Sequence, residues 1–280
     1  MKFTNGKAPA GLHISGFADE ISPHPLDQIA GLLRNGVRHV EVRGVSGKNV
    51  LDLDCDEVTE FRRNLEEAQI GVSAIGSPIG KVQIRSDLNR HFERFQGALQ
   101  SAKDLDCAYV RVFSFYHEKE PPEEVRDSVI EQFRRMTDAA ERENLVLLHE
   151  NESHIYGDTP ERCLDLLSAI DSPHLMMTFD PANFIQCECS PRQAWDLLAD
   201  RVEYFHVKDA LKSSKRVVPA GHGDGDLEEI FRLALDRGYA GFFSVEHHLK
   251  SKEYGTDGFE RFATAVVALR LLLSRLHVTI

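Results

Sequence analysis

Four residues in the second half of the chain are of the types that share a cation: Glu150, Asp180, His206 and Glu246. Each closes a short β-rich run. The runs end Leu147-Leu148-His149-Glu150, Met177-Thr178-Phe179-Asp180, Tyr204-Phe205-His206 and Ser244-Val245-Glu246. One charged residue at a strand end is commonly an ion-pair partner or a helix cap. Four in succession, three of them acidic, would repel one another strongly if gathered away from water. A divalent cation removes that repulsion, and three carboxylates with one imidazole make a sensible ligand set. The oxygen-rich donors favour Mn²⁺ and suit Mg²⁺, while the imidazole admits Co²⁺ or Zn²⁺. A solvated ion-pair network is the competing reading.

Delivering those positions to one place requires a repeating architecture. The β-type runs fall at 12–17, 37–43, 71–75, 108–113, 145–150, 175–180, 202–207 and 241–246. Helical patterns lie near 25–35, 55–69, 86–105, 122–142, 159–170, 190–199, 227–237 and 257–276. Strict alternation implies a parallel sheet with right-handed crossovers. Ser190 and Thr159, each followed by Pro, read as helix caps, as do Asp226 and Asp257 in Asp-x-x-Glu form. Gly36, Gly71 and Gly238 read as helix stops. A doubly wound sheet would place G-x-G-x-x-G after its first strand, where this chain reads Gly16-Phe17-Ala18-Asp19-Glu20. The expectation is an α/β protein, a single (β/α)8 TIM barrel domain over residues 1–280, with its chemistry at the C-terminal strand ends.

The composition agrees with a folded enzyme-sized domain. The chain has 280 residues, 42% hydrophobic and 28% charged, with a net charge of −12. That acidity argues against nucleic acid as a partner, because phosphate binding needs clustered cations. The longest apolar stretch, 263–273, is broken by Arg270, so no membrane span is expected. The first residues lack a leader-like apolar segment and cleavage site, and a cytoplasmic location is expected. Five cysteines, odd in number and without metal-site spacing, read as free thiols.

His149-Glu150-Asn151-Glu152, Phe179-Asp180-Pro181-Ala182-Asn183, His206-Val207-Lys208-Asp209 and Val245-Glu246 together resemble the xylose-isomerase-like TIM barrels. That superfamily includes sugar phosphate isomerase/epimerase homologues, ketose 3-epimerases, hydroxypyruvate isomerase, inosose dehydratase and endonuclease IV. The resemblance runs from Gly16 to the last helix and implies that Glu150, Asp180, His206 and Glu246 bind one divalent metal. Asn183, Lys212 and Tyr156 stand where ketose 3-epimerases carry His, Arg and Glu. Asn183 also removes a ligand that the three-metal cluster of endonuclease IV needs.

The chemistry such a site supports is proton removal beside a carbonyl, with a metal as Lewis acid for the developing enediolate. Glu150 and Glu246 then serve as the two bases. Return of the proton to the opposite face gives epimerisation, delivery to the neighbouring carbon gives isomerisation, and loss of a β-hydroxyl gives dehydration. A small-molecule sugar or keto-polyol is the expected partner, and assembly as a homo-oligomer is admitted. The first alternative is a lyase of the inosose-dehydratase type; the second is a non-catalytic barrel with a vestigial site.

Lys208 shares strand parity with His206, so it is expected to reach substrate oxygens or a phosphate, or else a strand-end acid. Glu152 shares parity with Glu150 and is a second substrate-contact candidate. Asn183 is the third, against a role in the Pro-containing turn. Gly221-His222-Gly223-Asp224-Gly225-Asp226 invites a phosphate-loop reading, but its two Asp favour a turn leading to the Asp226 cap. Glu41 and Arg43 either line the pocket or pair with each other. His247 and His248, as strand neighbours, face opposite ways and make poor joint chelators. Phe113 reads as core at the end of the fourth run.

Overall fold

All eight β runs become strands of one sheet in a computed structural model that describes residues 11–118 and 120–280. The first ten residues, over which most of the leader reading runs, lie outside that description. The strands are β1 His13–Gly16, β2 His39–Val42, β3 Gly71–Ile75, β4 Tyr109–Val112, β5 Val146–Glu150, β6 Leu175–Phe179, β7 Val202–Val207 and β8 Phe242–Val245. Paired neighbours run in the order β1-β8-β7-β6-β5-β4-β3-β2, all parallel. β1 and β2 lie beside each other across the remaining seam, so the cylinder is nearly closed.

The crossover helices are α1 Pro25–Arg34, α2 Cys55–Glu67, α3 Leu88–Asp104, α4 Pro122–Arg142, α5 Pro160–Ile170, α6 Pro181–Gln186, α7 Pro191–Leu198, α8 Leu227–Asp236 and α9 Gly258–Arg275. Their apolar residues recur at helical spacing. In α8, Leu227, Ile230, Phe231 and Ala234 form the buried stripe. Among the described residues, no helix is long and apolar enough to cross a membrane.

Alternation along β7 shows how the fold divides its core. Phe205 faces outward, stacking near Trp195 at 5.8 Å and Phe243 at 5.5 Å between ring centroids. Tyr204 faces inward and packs with Tyr109 and Phe242. That interior layer plugs the barrel, so the next inward residue, His206, is lifted to the mouth.

Thr159, Ser190 and Asp257 cap their helices by accepting from the backbone N–H groups of Arg162, Gln193 and Glu260. Asp226 does not. Its backbone is left-handed, φ 53°, not the extended conformation from which a capping side chain reaches the first amides, and its side chain makes no capping bond. Gly71 is likewise no helix stop: Gln69 takes the left-handed position at φ 57°, and Gly71 begins β3. Gly36 and Gly238 do supply positive φ after α1 and α8. Three features had no sequence signal strong enough to read: the short helix α6, and two ribbons, Gly44–Val45 with Lys48–Asn49 and Asp209–Ala210 with Val217–Val218.

Candidate metal centre

Strand register brings the four expected ligands together. One ligand atom from each of Glu150, Asp180, His206 and Glu246 lies within 4.8 Å of all the others. All four residues are buried. Asp180 follows β6 as the N-cap of α6, and its Oδ1 accepts from the Asn183 N–H at 3.0 Å. That bond fixes the carboxylate and leaves Oδ2 facing the cluster.

The donor set suits a divalent cation. Glu150 Oε2, Asp180 Oδ2 and His206 Nδ1 are buried atoms without a well-aligned hydrogen bond. Buried polar atoms in that condition are costly, and three belonging to one convergent group of residues can be satisfied by one ion. Two anionic oxygens and an imidazole nitrogen are also the donor types that divalent transition ions accept.

Cations already attend the acids. Lys208 Nζ lies 2.8 Å from both Asp180 Oδ2 and Glu246 Oε2. Arg111 reaches Glu150 Oε2 at 3.2 Å, and Arg43 reaches Glu246 Oε1 at 3.0 Å. Burial pushes the Glu150 carboxyl up, but His206 and Arg111 together outweigh it and hold it at about 2. Glu246 is held well below the carboxylate range: burial opposes this, and Lys208, His248, His206 and Arg43 prevail. Asp180 moves the other way, up to about 6, because burial and the Glu150 and Glu246 charges outweigh Lys208.

Asn183 is buried and faces the carboxylates. Its Nδ2 donates to Glu150 Oε1 at 3.1 Å and to the Asn151 carbonyl at 2.9 Å. Asn151 in turn exchanges two bonds with the Asp180 backbone. Asn183 therefore ties the ends of β5 and β6 together. Lys208 and Glu152 do reach the open space: with Glu150 and Glu246 they line a cavity of about 170 Å³. Lys208 pairs with Asp180 and Glu246, not with Asp209.

Several side chains around the centre were missed or misassigned in the sequence. Glu41 does not pair with Arg43. Its oxygens lie 3.1 and 3.2 Å from His206 Nε2, and it also accepts from Ser244 Oγ at 2.8 Å. Arg43 instead binds Asp19 through two nitrogens, with Glu20 and Glu246 beyond. Arg43 does line the cavity, as one of its two readings had it, and Arg111, Lys81 and His248 line it too. A lone Arg in the otherwise apolar run Tyr109-Val110-Arg111-Val112 was the available signal for the first. Glu20, Glu246 and His248 form a second acidic group, but the Arg43 guanidinium already supplies its cation at 3.1 and 3.0 Å.

The glycine-rich loop spends its amides within the protein. Gly221 and Gly223 donate to Asp209 Oδ2, and Gly225 donates to Oδ1, at 2.9 to 3.0 Å. The nest is real, but its anion is an aspartate two residues beyond Val207, so the phosphate-loop alternative falls.

The family described as xylose isomerase-like TIM barrel matches residues 29–267. A fructoselysine 3-epimerase from Escherichia coli O157:H7 is 25% identical over 175 residues, covering 59% of this chain and 63% of the relative. The chain thus spans less than two thirds of that relative's length. Among solved structures, the IolI protein with a bound zinc atom superposes with a TM-score of 0.77 at 18% identity, covering 95% of this chain and 98% of that one. AsbF from Bacillus anthracis, described as a probable 3-DHS dehydratase of petrobactin synthesis, gives a TM-score of 0.75 at 16% identity, covering 92% and 98%. These two likenesses establish a common fold.

Proposed function

This chain belongs to the xylose isomerase-like TIM barrel family, and from that membership and the buried four-residue centre we propose that it is a divalent-metal-dependent isomerase or epimerase of a small sugar or sugar derivative. The observation that carries the reading is that Glu150 and Glu246 belong to the convergent ligand group and also line the cavity. Glu150, Asp180, His206 and Glu246 would hold one ion, with Mn²⁺ favoured by the donor set, and its Lewis acidity would favour proton removal beside a carbonyl.

The chain's own residues account for the remaining steps. Glu150 and Glu246 approach the cavity from β5 and β8, and both are ionised at neutral pH, as a base must be. One removes the proton; its return by the other to the opposite face gives epimerisation, and its delivery to the neighbouring carbon gives isomerisation. Lys208 presents its ammonium to a substrate oxygen, and Glu152 accepts from a hydroxyl. Asn183 acts through Glu150, whose oxygen it holds.

A lyase is the second reading, favoured by Lys208 itself. An ammonium standing 2.8 Å from Glu246 could give a proton to a departing β-hydroxyl, which leaves as water while Glu246 or Glu150 takes the carbon-bound proton. One relative is described as an epimerase and one protein of the same fold as a probable dehydratase, so both outcomes have precedent on this fold.

Incubation with Mn²⁺ and a panel of ketoses and keto-polyols in D₂O tests the assignment. Carbon-bound deuterium without water loss supports the isomerase, and formation of an enone or diketone supports the lyase. Turnover must vanish in Glu246→Gln with the fold retained. Neither exchange nor turnover across the panel would leave a non-catalytic barrel.

A further inference from the structure

Behind the cavity runs an alternating row of cations and rings. The Arg43 guanidinium lies 4.5 Å from the Phe17 ring centroid. Arg111 lies 5.1 Å from the same ring and 5.0 Å from Phe113. The Lys81 ammonium lies 4.2 Å from Phe113. Both rings are buried at the ends of their strands, so each cation is attracted to a fixed quadrupole and held in place. Three like charges in a row repel one another, and their persistence requires negative charge nearby.

The protein supplies that charge unevenly. Arg43 is surrounded by acids, and Arg111 has Glu150. Among the described residues, Lys81 has the single acid partner Glu152, at 3.1 Å, with both side chains partly open to solvent at 33% and 22%. An ion pair so exposed contributes little and yields readily to a competing anion. Moreover, four cations but only three carboxylates line the cavity, and two of those, Glu150 and Glu246, belong to the metal centre proposed above. Once their charge is committed there, Arg43 keeps Asp19 and Glu20, whereas Arg111 gives up Glu150 and Glu246, so the Arg111–Lys81 end of the wall is electropositive.

We propose that the substrate carries an oxyanion, a carboxylate or a phosphate, bound by Lys81 with Arg43 and Arg111 behind it, while its carbonyl end faces Glu150 and Glu246. The assignment rests on the reading of the site given under Proposed function. It narrows the substrate class from neutral sugars to sugar acids, keto acids or sugar phosphates.

Calorimetric titration of the Mn²⁺-loaded full-length protein with three ligands of one carbon skeleton tests it: D-glucitol, D-gluconate and D-glucitol 6-phosphate. At least one anion should bind about tenfold or more tightly than glucitol, the size of one charge-assisted contact. Whichever anion wins identifies the source of the charge. Lys81→Met should collapse the ratio and Lys81→Arg should restore it. Equal binding of all three ligands, no binding of either anion, or a preference that survives Lys81→Met each overturns the proposal. Deuterium exchange run in parallel reads the catalytic assignment separately. Exchange with neutral ketoses but no anion preference defeats only this inference, whereas anion preference without exchange on any substrate defeats only the catalytic reading.

Discussion

Glu41 stands behind His206: its carboxylate oxygens lie 3.1 and 3.2 Å from Nε2, while Nδ1 faces Glu150 Oε1 at 3.1 Å. A carboxylate on one ring nitrogen accepts its proton, sets the tautomer and aims the other nitrogen. Glu41→Gln keeps the shape but replaces that acceptor. Mn²⁺ affinity, measured by calorimetry, should fall about 10–100-fold with the fold intact. Unchanged affinity would show that His206 needs no such support.

Lys208 is the internal counterion of Asp180 and Glu246. Removing one member of a buried charge pair costs about 3–5 kcal/mol. Lys208→Met should therefore lose stability most in EDTA, and Mn²⁺ should raise its melting temperature more than it raises that of the wild type. Equal losses with and without Mn²⁺ would separate Lys208 from the centre.

Much of this arrangement was legible in the residues themselves, for a physical reason. Buried parallel strands need continuous apolar runs, so a charged residue closing each of four runs was conspicuous, and Glu150, Asp180, His206 and Glu246 do converge. Partners across the barrel were not legible. Glu41 and His206 are 165 positions apart, and nothing local to either names the other. Helix α6 was hidden because its six residues begin with Pro181, which reads equally well as a turn. Asn183 was weighed for substrate contact, whereas both bonds its side-chain amide donates go to the protein.

The glycine loop offers a test of stability distinct from catalysis. A Cβ at Gly223 would stand 2.3 Å from Asp209 Oδ1 and 2.6 Å from the Ala210 carbonyl, so Gly223→Ala must push the loop off its anion. Asp209→Ala strands the glycine amides and should cost about 1–3 kcal/mol in urea unfolding. A loss below about 0.5 kcal/mol would mean that water replaces the carboxylate without penalty.

Acid should weaken the closed, N-terminal end of the barrel through His39. Burial, with His13 beside it at 4.9 Å between rings, depresses its pKa from 6.5 to about 4. The unfolded chain binds this proton first, so the contribution is complete above about pH 6.5 and lost as pH falls toward 4. The slope for this group is at most about 1.4 kcal/mol per pH unit. His39→Phe should flatten the dependence of melting temperature on pH in that window, and an unaltered slope would exclude His39 as its source.

Anomalous diffraction from crystals grown with Mn²⁺ examines the centre itself. The expected result is one strong peak per chain, within bonding distance of a single atom from each of Glu150, Asp180, His206 and Glu246. A peak elsewhere, such as between Glu20 and His248, or none at saturating Mn²⁺, would contradict the account.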